Sequence, residues 1–134
     1  MNLDQLCAAW APRLLSVLRI FVGLLYLEFG LAKHFGFPHA AMFDNLQHLS
    51  LIGIAGLIEL IGGAALVIGL FTRPVAFIMS GEMAIGYFLF HAPQGFYPYV
   101  NHGELAIMYC FVFLYLIFAG PGPWSLDALI WRRA

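Results

Sequence analysis

The chain has 134 residues, 63% of them hydrophobic and 10% charged, with a formal net charge of -1. Soluble domains run at roughly 45–50% apolar and about 25% charged residues, so this composition excludes an ordinary soluble domain and points to an integral membrane protein of one domain, residues 1–134. The near-neutral balance argues against a nucleic-acid partner.

In chain order, residues 2–11 (NLDQLCAAWA) read as a short interfacial helix, with Asp4 and Gln5 toward water and Leu3, Leu6 and Trp10 toward lipid. Pro12 is expected to separate it from the first span, residues 14–33, which is long enough for a ~30 Å hydrocarbon core. The first ten residues carry no Lys or Arg and no small-residue cleavage pattern follows, so this span is expected to stay as an anchor. At helical spacing Arg19, Gly23, Tyr26, Gly30 and Lys33 share one stripe, and Glu28 falls opposite Arg19. Small residues beside charges mark a face packed on protein rather than lipid.

Residues 36–50 form the longest polar interruption. Pro38 is placed to start a short surface helix with Met42, Phe43, Leu46 and Leu49 on its apolar side, leaving His39 and His48 solvated. The second span, 51–71, sets Glu59 among Ala55, Gly56, Gly62 and Gly63, the composition of a close helix–helix contact with a carboxylate in it. Thr72-Arg73-Pro74 is a tight turn into the third span, 75–91, with Glu82 near its middle and His91 at its end. Pro93, Gly95, Pro98 and Gly103 break the chain before the fourth span, 104–119, which stops at Gly120-Pro121-Gly122-Pro123. Ser125 can cap a terminal helix, with Trp124 and Trp131 at the interface and Arg132 and Arg133 in water. The fold expected is therefore all-α: an antiparallel four-transmembrane-helix bundle with short interfacial helices. Cys7 and Cys110 lie far apart, form no C-x-x-C or Cys/His spacing, and read as small apolar residues.

Basic residues set the orientation. One side holds Arg13, Arg73, Arg132 and Arg133 and the other only Lys33, so both termini are expected in the cytoplasm. Lys33, His34, His91, Asn101, His102 and Glu104 then crowd the outer face.

Each span carries one glutamate: Glu28, Glu59, Glu82 and Glu104. A charge at the bilayer centre costs about 2.5–3.5 kcal/mol on insertion scales, so each should be neutral, hydrogen-bonded or paired, and each is a functional candidate. Plain structural readings stand beside the functional ones. Glu104 sits at capping-box spacing from Asn101, Glu59 can serve as interhelical glue, Arg19 as its structural partner, Lys33 as a snorkelling anchor and His91 as a helix-end histidine. Glu28 and Glu82 have the weakest claims. Glu59 is expected to face the interior and to meet Lys33, His91 or, deeper, Arg19. No Glu-x-x-His pair is present for a carboxylate di-metal site, and His34 and His91 stand too near the rim for a good haem axial pair. Metal and haem therefore rank below other cofactors, and no metal ligand is assigned.

These residues resemble the DoxX family of small four-span membrane proteins over most of residues 18–127. The first helix carries Leu18-Arg19, Gly23, Tyr26, Gly30 and Lys33. The second carries Gly56, Glu59-Leu60, Gly62-Gly63, Leu66 and Gly69-Leu70-Phe71-Thr72-Arg73. His91, Pro93, Gly95-Phe96-Tyr97-Pro98, Asn101, Gly103-Glu104-Leu105, Gly120-Pro121-Gly122 and Ser125-Leu126-Asp127 complete the pattern. His102 stands where the family commonly has Gly, and Glu28 where an apolar or small residue is expected. The resemblance implies association with membrane oxidoreductase systems, some of them quinone-linked, and its positions are Arg19, Lys33, Glu59, His91, Asn101 and Glu104.

Two functions follow as expectations. In the first, the chain is an inner-membrane redox subunit in which a quinone head meets Glu59, His91 and Glu104 as proton donors and acceptors, with Arg19, Tyr26, Lys33, Asn101 and His102 around the cofactor. In the second it is a non-catalytic scaffold, or a small-molecule-binding or transport partner, held to another protein or to copies of itself.

Overall fold

The structure, a computed structural model, describes residues 1–131; the arginines at 132 and 133 that were expected in water lie outside the described residues. The chain is helical throughout, and no strand occurs among the described residues. Helix α1 runs from Leu3 to Phe35 without interruption. Asn2 opens it with a capping box: its side chain accepts from the Gln5 amide at 2.9 Å, and Gln5 Oε1 accepts from the Asn2 amide at 3.0 Å. The expected break at Pro12 is absent. An interior proline forfeits one backbone hydrogen bond, but this one sits on an exposed stretch where water or headgroups reach the freed carbonyl. The residues on either side of it are helix formers. The interfacial helix and the first span are thus one rod, closed by Gly36 in the left-handed conformation.

Residues 36–50 form no amphipathic surface helix. Only Ala41–Phe43 make a 3-10 turn, and Met42 and Leu49 stay more than four-fifths exposed. Phe43 and Leu46 are only half-buried, too little apolar cover to sustain a short helix. Ser50 caps α2, Leu51–Ile68, by accepting from the Gly53 amide at 3.2 Å. Gly69, left-handed, ends α2, and Phe71 leads into α3, Thr72–Gly86. α3 does not stop there: Tyr87–His91 wind as a π-helical turn and Ala92–Gln94 as a 3-10 turn. Short helix α4, Pro98–Asn101, precedes α5, Glu104–Ala119, and α6, Leu126–Trp131.

Three stretches, Leu3–Phe35, Leu51–Ile68 and Thr72–Gln94, are long and apolar enough to cross a membrane. The fourth, α5, has 16 residues, about 24 Å at ~1.5 Å per residue. Packing divides the bundle into two pairs, α1 on α2 and α3 on α5, joined along the α2–α3 seam. Glycines bring the first pair together. A Cβ at Gly30 would lie 2.7 Å from the Gly56 carbonyl and the Leu60 amide, and one at Gly63 would lie 2.8 Å from Leu27 Cα. The core between the pairs holds Val22, Tyr26, Leu66, Ala76, Met79, Tyr109, Phe113 and Leu116.

Candidate functional site

The close α1–α2 contact decides where the charges go. With backbones this near, the stripe of α1 that carries Tyr26 and Lys33 lies over the face of α2 that carries Glu59. Lys33 Nζ donates to both carboxylate oxygens of Glu59, at 2.8 and 2.9 Å. The side chains are 11% and 4% exposed, so the pair is interior, as the charged residue among glycines required. About two turns deeper on α1, Tyr26 is fully buried. Its ring meets Phe113 and Tyr109 edge-on at centroid distances of 4.9 and 5.5 Å, and its hydroxyl donates to Glu82 Oε2 from α3. Glu82 stands beside Glu59, and its other oxygen, Oε1, is buried without a hydrogen-bond partner. Lys33, Glu59, Glu82 and Tyr26 thus form one polar chain through three helices, in an interior of low polarity where each hydrogen bond is strong and each missing one expensive.

A second cluster lies at the rim, where the π turn ends. Asn101 is fully buried and tied on every side: Nδ2 donates to Tyr87 Oη at 3.1 Å and to the Gly95 carbonyl at 2.8 Å, while Oδ1 accepts from the Gly103 amide at 2.9 Å. His91 Nδ1 donates to the Asn101 carbonyl at 3.0 Å, and its ring stacks on Tyr87. This fixes the neutral tautomer and leaves Nε2 as a proton acceptor. On the other edge of the bundle His34 Nε2 donates to the Gly53 carbonyl at 2.7 Å, and its Nδ1 lies 2.6 Å from Nδ1 of His48. Since His34 already spends its proton on Gly53, His48 is the donor in that contact. His48 is exposed, as expected, and also meets His34, which ties the 36–50 loop to the end of α1. His39 remains exposed, 2.8 Å from Asp44.

The profile of the DoxX family matches residues 14–92, more than half of the chain. The chain belongs to the DoxX family. It is 40% identical over 128 residues to an uncharacterized protein of Haemophilus influenzae, covering 92% of this chain and 96% of that one. It is 30% identical over 126 residues to an inner membrane protein of Escherichia coli, covering 87% and 92%. Over 155 residues it is 26% identical to an uncharacterized membrane protein of Mycobacterium tuberculosis, covering 97% and 89%. No solved structure matches it significantly.

The motif residues of this DoxX protein divide between two ends of the bundle. Lys33 and Glu59 meet. Arg19 does not join them: fully buried, it donates to the carbonyls of Leu66 at 2.8 Å, Trp124 at 2.7 Å and Pro121. It therefore fastens the Gly-Pro segment against α2. Asp127 completes that end by accepting from the Phe71 and Thr72 amides at 2.8 and 2.9 Å, capping α3 from the far terminus of the chain. Ser125 caps α6 as expected, accepting from the Ala128 amide at 3.0 Å. His91 does not touch Glu59, and Glu104 is exposed at the start of α5. The expected Asn101–Glu104 capping box does not form, because Asn101 belongs to α4 and Gly103 is the residue that opens α5. His102 is exposed with φ +60°, a left-handed conformation in which a glycine is unstrained.

Glu82, given one of the weakest claims on sequence grounds, lies in the buried chain with Tyr26, a pairing the sequence reading did not foresee. The usable signal was an acid at mid-span, the least favourable place for one. Among the described residues no three His, Cys, Asp or Glu side chains converge as a metal-holding group. Two open clefts, of about 520 and 530 Å³, lie at the Arg19 end around Thr72, Asp127 and Trp124, away from the polar chain. The buried polar chain is the stronger candidate, since the clefts are surface hollows lined by residues already committed to capping.

Proposed function

We propose that this DoxX protein is an inner-membrane subunit of a redox system, with a proton-handling site in the outer half of the bundle that serves a quinone-class carrier. The observation that carries the reading is the Lys33–Glu59–Glu82–Tyr26 chain. Quinone chemistry moves protons with electrons, and buried acids beside a lysine and a phenol are groups suited to hold and release them. His91, with Nε2 left as acceptor, and the exposed Glu104 would connect that chain with the outer aqueous edge. Tyr26 and Lys33 would line the inner wall and Asn101 and His102 the rim. Arg19 would support the site from the opposite end of α1.

Titration of a short-chain ubiquinone analogue into the purified protein tests this. Affinity should fall at least tenfold in Glu59→Gln and measurably in His91→Ala. Equal affinities for the wild type and both variants would remove these residues from the site.

A second reading, a scaffold without its own chemistry, rests on Glu28. That carboxyl is exposed on α1, within the span and outside the bundle interior. A glutamate facing lipid is expensive, which favours a neighbouring protein chain, either a partner or a second copy, over bare lipid. Co-purification separates the readings: a bound quinone supports the first, and a stoichiometric protein partner without cofactor supports the second.

A further inference from the structure

We infer that Glu82 is a neutral carboxylic acid sharing one proton with Glu59, and that it is the group presenting a hydrogen-bond donor to the carbonyl oxygen of a quinone-class ligand.

Charges and hydrogen-bond donors around Glu82 are few enough to count. Lys33 supplies one positive charge, and both of its short bonds go to Glu59. Glu59 is therefore the ionised acid. A second carboxylate beside it would leave this part of the interior with a net negative charge: among the described residues Arg19 is committed to three carbonyls at the other end, and His34 spends its ring nitrogens on Gly53 and His48. Tyr26 gives its only proton to Glu82 Oε2. That leaves Oε1 buried with no donor to accept from. As a carboxylate oxygen it would be buried with no protein donor, a costly arrangement. As the oxygen of a carboxylic acid it carries the proton, and the adjacent Glu59 carboxylate is the acceptor within reach. One proton thus removes the excess charge and the unpartnered oxygen together. The resulting order is Lys33 ammonium, Glu59 carboxylate, Glu82 acid, Tyr26 hydroxyl, with Glu82 alone able to turn its proton from Glu59 to an incoming acceptor.

The ligand half of this inference rests on the redox reading above; the protonation half does not, and the two are read separately. Infrared difference spectra of the ligand-free protein, wild type minus Glu82→Gln, should contain the C=O stretch of a protonated carboxyl. The same band should remain in Glu28→Gln. Tyr26→Phe, which removes a hydrogen bond without removing the acid, should move the band to higher frequency and serves if Glu82→Gln does not fold. A band unchanged in both the Glu82 and Tyr26 variants overturns the assignment of the proton. Addition of a short-chain ubiquinone analogue to the wild type should then shift the band. Binding of the analogue with the band unmoved overturns the donor role. Failure of the analogue to bind at all removes the redox reading and the donor role with it, while the ligand-free band decides the protonation on its own.

Discussion

Lys33 and Glu59 neutralise each other in a place where neither is tolerable alone. Replacing Lys33 by Met leaves a buried carboxylate without its cation, and loss of one partner of a buried pair costs about 3–5 kcal/mol. Glu59→Gln in the Lys33→Met background should recover most of that, since an amide has no charge to strand. Denaturant midpoints of the wild type, both single variants and the double variant measure the coupling; additive losses would mean that the pair contributes no mutual stabilisation. The pair was legible in the sequence because glycine-rich neighbours forced Glu59 inward and Lys33 lay on the only stripe of α1 able to meet it. Tyr26–Glu82 was not legible. The two residues lie on helices that make their contact through the packing of α1 against the α3–α5 pair, and no local spacing records that register. The contact of exposed His48 with His34 was not legible for a similar reason, since no local spacing relates a loop histidine to the end of α1.

Elements hold these residues in register, and the closest backbone approach of α1 to α2 at a glycine sits one turn from the ion pair. Ala at Gly30 would place a methyl 2.7 Å from the backbone of Gly56 and Leu60, so α1 and α2 must separate. Gly30→Ala should therefore destabilise by about 1–3 kcal/mol, in the manner of an overpacked core. It should also weaken the Lys33–Glu59 bond, visible as a smaller coupling in the cycle just described. An unchanged midpoint and unchanged coupling would mean the helices can yield there. The four apolar spans and most of their ends were readable from apolar runs and from glycine and proline punctuation. Pro12 and Pro38 misled because each was weighed by local rules alone. The first is carried by a long capped helix, and the second starts nothing because its apolar residues find too little cover. The π turn at Tyr87–His91 has no sequence signature at all. It widens the end of α3, and the His91–Asn101 bond follows at once.

For the molecule as a whole, the Arg19 end closes the bundle and the Lys33 end holds the buried polar chain. Arg19 binds three carbonyls through a planar fork that a lysine cannot reproduce. Arg19→Lys should lose about 3 kcal/mol or more, since bonds to a charged donor contribute about 1.5–3 kcal/mol each. Limited proteolysis should then cut the segment after Ala119 first. Equal protease resistance of the variant and wild type would contradict the fastening role. Orientation is a separate prediction, resting on the basic residues. In a chain with Cys7 and Cys110 replaced by Ala, Ala40→Cys and Gln94→Cys should be labelled by an impermeant reagent from outside, and Arg73→Cys only after permeabilisation. The reverse pattern would turn the polar chain toward the cytoplasm.

The division into an α1–α2 pair and an α3–α5 pair also bears on how the chain is made. The Lys33–Glu59 bond lies wholly within the first pair. A nascent chain that has delivered only its first two helices to the bilayer can already join an ammonium to a carboxylate, before Glu82 has been synthesised. Each of those charges would otherwise enter the bilayer with a cost of about 2.5–3.5 kcal/mol. The first hairpin therefore enters as an electrically neutral unit, and the third helix brings its acid to a site whose cation is already taken. Biosynthetic order alone thus favours Glu82 arriving with its proton on.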